Sequence, residues 1–170
     1  MSDKLKTTVL LIVTLALTRF IPHPPNATAI LALSLFGGAA IANKKTAMLV
    51  VIAAMLLSDF LIGFHSTLPF VYVSLITLVF YGSGMLNIKS ASSKALASVN
   101  GSLLFFVVTN FGVWMVQDLY PKTISGLVTC FVAGIPFLFN MILSTMAYLF
   151  VASFAANYLT AENKSTLVQE

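Results

Sequence analysis

The sequence predicts an all-α membrane protein: six transmembrane helices, a short re-entrant or surface helix before the last, and both termini cytoplasmic. Three observations lead there. Hydrophobic residues fill 59% of the 170 positions and charged residues 8%, against about 45–50% and 25% in soluble domains. Mean hydropathy is +0.99. The apolar runs are continuous, without the alternation of barrel strands. At about 20 residues per span, six or seven crossings with tight loops use up the chain, which forms a single transmembrane domain over 1–170. No soluble catalytic or ATP-hydrolysing domain fits beside them. One cysteine excludes a disulfide scaffold, and the net charge of +4 is not gathered into a lysine stripe for nucleic acid.

The spans are set by the punctuation. Span 1 covers about 5–21 and stops before Pro22. Lys4 and Lys6 ahead of it suggest a signal peptide. Arg19 and Pro22 come after it, however, and Ala27-Thr28-Ala29 lies too far downstream for ordinary cleavage, so it is expected to stay in the mature chain. Span 2 runs about 27–43 and closes on Asn43-Lys44-Lys45. Span 3 covers about 46–63, span 4 about 69–87, span 5 about 94–117 and the last about 136–159. Between Pro121 and Pro136 lies the piece from Thr123 to Gly134. As a helix it rises only about 18 Å, too little for a hydrocarbon core of about 30 Å.

Orientation comes from the basic residues. Lys4, Lys6, Lys44, Lys45, Lys89, Lys94 and Lys164 fall on one side of the six-span scheme, leaving Arg19 and Lys122 on the other. The larger group marks the cytoplasm.

Polar residues gather at the opposite level. Arg19, His23 and Asn26 sit at or just past the outer end of span 1. Asp59 and His65 flank the outer end of span 3. Asn110, Trp114, Gln117, Asp118 and Tyr120 mark the outer half of span 5 and the loop after it. The cytoplasmic half offers loop lysines, Asn43, Asn87 and Asn100. Ionisable groups near the bilayer core usually pair or face a cavity. Each also has an ordinary role: Arg19 can snorkel or pair with Asp59, loop histidines can simply be solvated, Trp114 and Tyr120 suit an interfacial belt, and Asn110 can join helices. Cys130 can ligate a soft metal or merely pack. Phe20, Phe60, Phe64, Phe70, Phe111, Trp114 and Tyr120 together form an aromatic wall suited to a flat solute, or a lipid-facing belt. On span 2, Ser34, Gly38 and Ala42, broadened by Gly37 and Ala39, make a small-residue stripe for packing inside the monomer or for docking a partner.

The strings Arg19-Phe20-Ile21-Pro22-His23-Pro24-Pro25-Asn26, Leu35-Phe36-Gly37-Gly38-Ala39, Ser58-Asp59-Phe60-Leu61-Ile62-Gly63-Phe64-His65 and Asn110-Phe111-Gly112-Val113-Trp114 resemble an uncharacterised family of small bacterial integral membrane proteins. Tyr120-Pro121-Lys122-Thr123 and Gly126-Leu127 extend the resemblance over nearly the whole chain. That family resembles in turn the substrate-binding S components of energy-coupling-factor vitamin transporters, and among them the solitary, cobalamin-specific ones. His23 and Asp59 resemble polar positions of that group. Its cobalt-binding cysteine has no counterpart at the end of span 3 or in span 4, where His65, Tyr72 and Tyr81 stand. The first-helix Ala-x-x-x-Ala docking motif of S components is missing from span 1.

The function expected is that of a membrane solute-binding and uptake protein, not an enzyme. It would take a vitamin-like or metal-bearing small molecule, cobalamin being one candidate, from the outer side. Arg19, His23, Asn26, Asp59, His65, Asn110, Trp114 and Tyr120 are the expected substrate-binding residues. The loops around 64–69 and 118–123 would close over the ligand. No cofactor is expected, and no metal ligands are assigned. The partners are the solute, the lipid bilayer and an optional energising transporter module, with no nucleic acid. The location is the bacterial cytoplasmic (inner) membrane, multi-pass. No Gly-x-x-x-x-Gly-Lys-Ser/Thr occurs, so energy would come from a partner, a gradient or ligand trapping. Alanine at Asp59 or His23 is expected to weaken binding with folding intact. The alternative is an accessory structural subunit of a larger membrane complex. A membrane enzyme lacks support: there is no His-x-x-x-His or Glu-x-x-His, and Glu162 and Glu170 are the only glutamates.

Overall fold

A computed structural model describes residues 3–84 and 90–166. Among them are six α-helices: α1 (Asp3–Leu17), α2 (Ile30–Ala40), α3 (Lys44–Ile62), α4 (Leu68–Gly84), α5 (Ala91–Val116) and α6 (Ile124–Thr166). A single 3-10 turn, Thr18–Phe20, extends α1. Three of these helices are long and apolar enough to cross a membrane: Lys44–Ile62, Ala91–Val116 and the Ile124–Tyr158 part of α6. Such helices point to a membrane protein. Large apolar side chains such as Leu49, Leu57, Phe60, Leu61, Phe139 and Phe154 face outward around the bundle. Lys89 and Asn87 lie outside the described residues.

The helix termini are set locally. Asn43 accepts the Thr46 N–H at 3.2 Å to start α3, and Ser90 accepts that of Ser93 at 3.1 Å to start α5. Gly63 ends α3 at φ 114°, a conformation open to glycine and little else. The run of prolines at 22, 24 and 25 keeps the approach to α2 out of helix. There the Ala27 N–H reaches the Pro24 carbonyl at 3.0 Å. Asn26 occupies the third turn position at φ 61°, which asparagine tolerates.

Span 2 is therefore much shorter than 27–43. Its helix has 11 residues, rising about 16 Å. It is nonetheless the centre of the molecule. Every residue from Ile30 to Gly38 is buried, and α2 packs against all five other helices. A helix apolar on every side has to leave water, for lipid or for a protein core, and here its neighbours place it in the core. Its closest neighbour is α4. A Cβ on Gly38 would lie 2.0 Å from the Val79 carbonyl oxygen, and one on Gly82 2.3 Å from that of Leu35. The two backbones touch, as small residues permit. The small-residue stripe is thus consumed inside the chain and offers no docking face; Ala42 falls beyond the helix.

The separate re-entrant or surface helix does not form. Residues 124–134 are the first turns of α6, which runs through Pro136 without interruption. Proline forfeits one backbone hydrogen bond and crowds the carbonyl four residues earlier, yet a helix braced by neighbours survives it. The brace here is α5. Gly134 lies so close to Asn110 and Phe106 that a Cβ would meet them at 2.6 and 2.8 Å. The Phe106 and Phe131 rings meet edge to face at 5.5 Å.

Candidate functional site

Residues of the connections 18–29, 63–67 and 117–123 come together at one end of the bundle, where they line a common space. Between them lies a cavity of about 460 Å³, within the span of about 300–1,000 Å³ usual for small-molecule sites. Its position has a simple cause. The central helix begins only at Ile30, and its first turn borders the cavity. Thr28, Ile30 and Leu31 form the floor at that point.

Arg19 reaches the wall from the turn after α1. Its Nη1 donates to Asp59 Oδ1 at 2.6 Å and to Ser58 Oγ at 2.5 Å, with Met55 Sδ at 3.5 Å. Tyr72 Oη donates to the other carboxylate oxygen at 2.7 Å. Four side chains from the α1 turn, α3 and α4 thus share one hydrogen-bonded cluster. Asp59 is 0% exposed and Arg19 15%. Ions this deep persist only when paired and hydrogen-bonded. Asp59 itself does not line the cavity; it holds Arg19 from behind.

Five of the eight expected residues line the cavity: Arg19, Asn26, His65, Asn110 and Tyr120. His65 Nδ1 sits 2.8 Å from Thr67 Oγ1 on the α3–α4 connection. Asn110 donates to the Phe106 carbonyl at 2.8 Å, and Cys130 Sγ meets the Asn110 carbonyl oxygen at 3.4 Å. Asn110 therefore belongs both to the wall and to the α5–α6 seam.

The other three stand apart from the wall. His23 is exposed, with Nδ1 2.9 Å from the Pro24 carbonyl oxygen. Asp59 is the positioning group just described. Trp114 donates through Nε1 to the Pro121 carbonyl at 2.9 Å, fastening the α5–α6 connection. Lys122 fastens it further, its Nζ reaching the Trp114 and Gln117 carbonyls at 2.5 and 2.6 Å. A cation is suited to the end of a helix. The 18–29 connection is tied as well, by Asn140 Nδ2 to the Pro25 carbonyl at 3.0 Å.

The aromatic wall differs from the seven residues expected. Phe20, Phe60, Phe64 and Phe111 face outward, and Phe70 packs onto Gly112. Of the seven, Tyr120 does line the cavity; Phe105 and Phe137 supply the rest of its aromatic lining, with Thr109 and Gln117 among the added polar groups. Phe105, Thr109 and Val113 do recur every four residues with Asn110 beside them, a helical face visible in the sequence. Tyr72 gave no such signal, because its partner Asp59 lies on another helix. Among the described residues no three of His, Cys, Asp and Glu gather as metal ligands.

Fold and site together define an all-helical chain, with helices fit to cross a membrane, that encloses a polar-and-aromatic cavity at one end. The chain belongs to DUF6580, a family of unknown function, which matches residues 1–167. No curated protein and no solved structure matches it.

Proposed function

We propose that the protein is a multi-pass membrane receptor for a small solute, similar to the S components of vitamin transporters, and that it performs no catalysis. The single observation supporting this is the cavity of about 460 Å³ with Arg19 held in its wall. The lysine distribution supports both termini in the cytoplasm of a bacterial cell, with α2 a short buried helix and not a full crossing by itself, so the cavity opens outward. Solute would enter from that side, with onward movement powered by a partner module, a gradient or trapping.

The cavity volume suits a vitamin-like molecule of one or two rings. Closure would fall to the 63–67 connection. Gly63 is there, and a Cβ at that glycine would have nothing within 4 Å. The 117–123 connection is already tied down by Trp114 and Lys122.

The decisive experiment purifies the full chain in mild detergent, then records an absorption spectrum and a mass spectrum of whatever denaturation releases. A stoichiometric small molecule supports the receptor reading. A ligand-free protein that co-purifies with another membrane subunit overturns it in favour of an accessory subunit.

A further inference from the structure

The wall of the cavity also bears on the charge of the solute, an inference that rests on the receptor reading above. Among the described residues, Arg19 is the only Lys, Arg, Asp or Glu that lines the cavity. Its hydrogen bonds to Met55, Ser58 and Asp59 all leave from Nη1. A guanidinium carries five N–H donors in a planar fork, so Nε and Nη2 retain three that this cluster does not use. Asp59 and Ser58 hold the group in place from the protein side, which leaves the rest of the fork for a guest. Two parallel N–H donors match the two oxygens of a carboxylate.

The rest of the wall is consistent with an anion at that point. Among the described residues no carboxylate lines the cavity to repel one. The first turn of α2 adjoins it through Ile30 and Leu31, and no side chain caps that helix start. Its outward N–H groups and partial positive charge favour negative guests. Away from Arg19 the lining turns neutral and aromatic, with Phe105, Phe137, Tyr120 and Asn110.

We propose that the solute is a ring-bearing carboxylic acid whose carboxylate docks on the free edge of Arg19 while its ring lies among Phe105, Phe137 and Tyr120. The Arg19–Asp59 pair is neutral as a unit, so the attraction is short-ranged and depends on geometry. A preference over the matching neutral amide of about tenfold is expected from one charge-assisted pair.

The test uses 2-naphthoate and its neutral amide, 2-naphthamide, in calorimetric titrations of the detergent-purified full chain. The wild type should prefer the acid, and Arg19→Gln should lose that preference while still binding the amide. Removal of a partner from Asp59 can unfold the bundle, so Arg19→Lys is the companion variant. It keeps the charge, loses the fork and should lower the preference several-fold. Equal affinity for the two probes, or a preference unchanged in both variants, overturns the anion inference alone. So does release of a neutral or cationic compound on denaturation of the purified protein. Failure to bind either probe, with no small molecule released, overturns the receptor reading as well.

Discussion

The two ends of α2 solve opposite problems. At its C-terminal end, Gly38 and the Gly82 of α4 bring two backbones into contact, and no space remains between them. At its N-terminal end the helix simply stops, and the neighbouring helices continue around a cavity of about 460 Å³. The first end is apolar and closed by the absence of side chains. The second is held open by a charged cluster, Arg19–Asp59–Tyr72–Ser58, and by connections tied down through Lys122, Trp114 and Asn140. In an apolar bundle a void closes unless something rigid props it, because empty space forfeits dispersion contacts. Hydrogen-bonded ions supply the prop here, at a desolvation cost that a purely apolar core would avoid.

This contrast can be broken most severely at the closed end. Gly38→Val places a branched Cβ 2.0 Å from the Val79 carbonyl oxygen, and should destabilise the fold by about 3 kcal/mol or more. The check is the fraction remaining monodisperse after graded heating in detergent; an unchanged midpoint means the two helices do not cross so closely. Next comes the prop. Asp59→Ala strands Arg19 and leaves Tyr72 without its acceptor, at about 3 kcal/mol. Folding is therefore hit together with binding, contrary to the simple expectation from sequence of a binding-only effect at Asp59. A full-length melting curve indistinguishable from wild type would refute the positioning role. His23→Ala, by contrast, should leave both stability and binding as they are, since that ring is exposed and lies off the cavity wall.

A smaller effect is expected at the connections. Lys122→Ala removes two hydrogen bonds from the end of α5, worth about 1 kcal/mol. Hydrogen exchange should speed up in 117–123 and stay unchanged in 63–67. Equal protection in both forms would show that the lysine does not hold the connection. The smallest effect is at Phe60, 74% exposed on the outer surface. Phe60→Leu should shift stability by less than about 0.5 kcal/mol and leave solute affinity alone, whereas Phe105→Leu should weaken it. A reversal of that order would return the aromatic wall to the outside residues.

Much of the architecture was legible because membrane physics is one-dimensional. Long apolar runs must be helices, and Asn43 and the prolines at 22, 24 and 25 punctuate them by local chemistry. Arg19 and Asp59 stood out as charges in apolar surroundings, the kind of residue that has to pair or face a cavity. What composition could not say is which apolar helix lies inside. Span 2 read as one crossing among six, since hydrophobicity measures exclusion from water and not the choice between lipid and protein. The Pro136 break was expected from a local rule that the α5 packing around Gly134 overrides.

The sequence by itself thus determined the helical class, the ends of α3 and the level at which the polar residues lie, because these depend on near neighbours along the chain. The tertiary structure alone decided that α2 is short and central, that Asp59 aims Arg19 instead of touching the cavity, and that Phe105 and Phe137 line it where Phe60 and Phe64 face outward. Those outcomes depend on which helix faces which, and residues 40 positions apart, such as Arg19 and Asp59, meet only when packing brings them together.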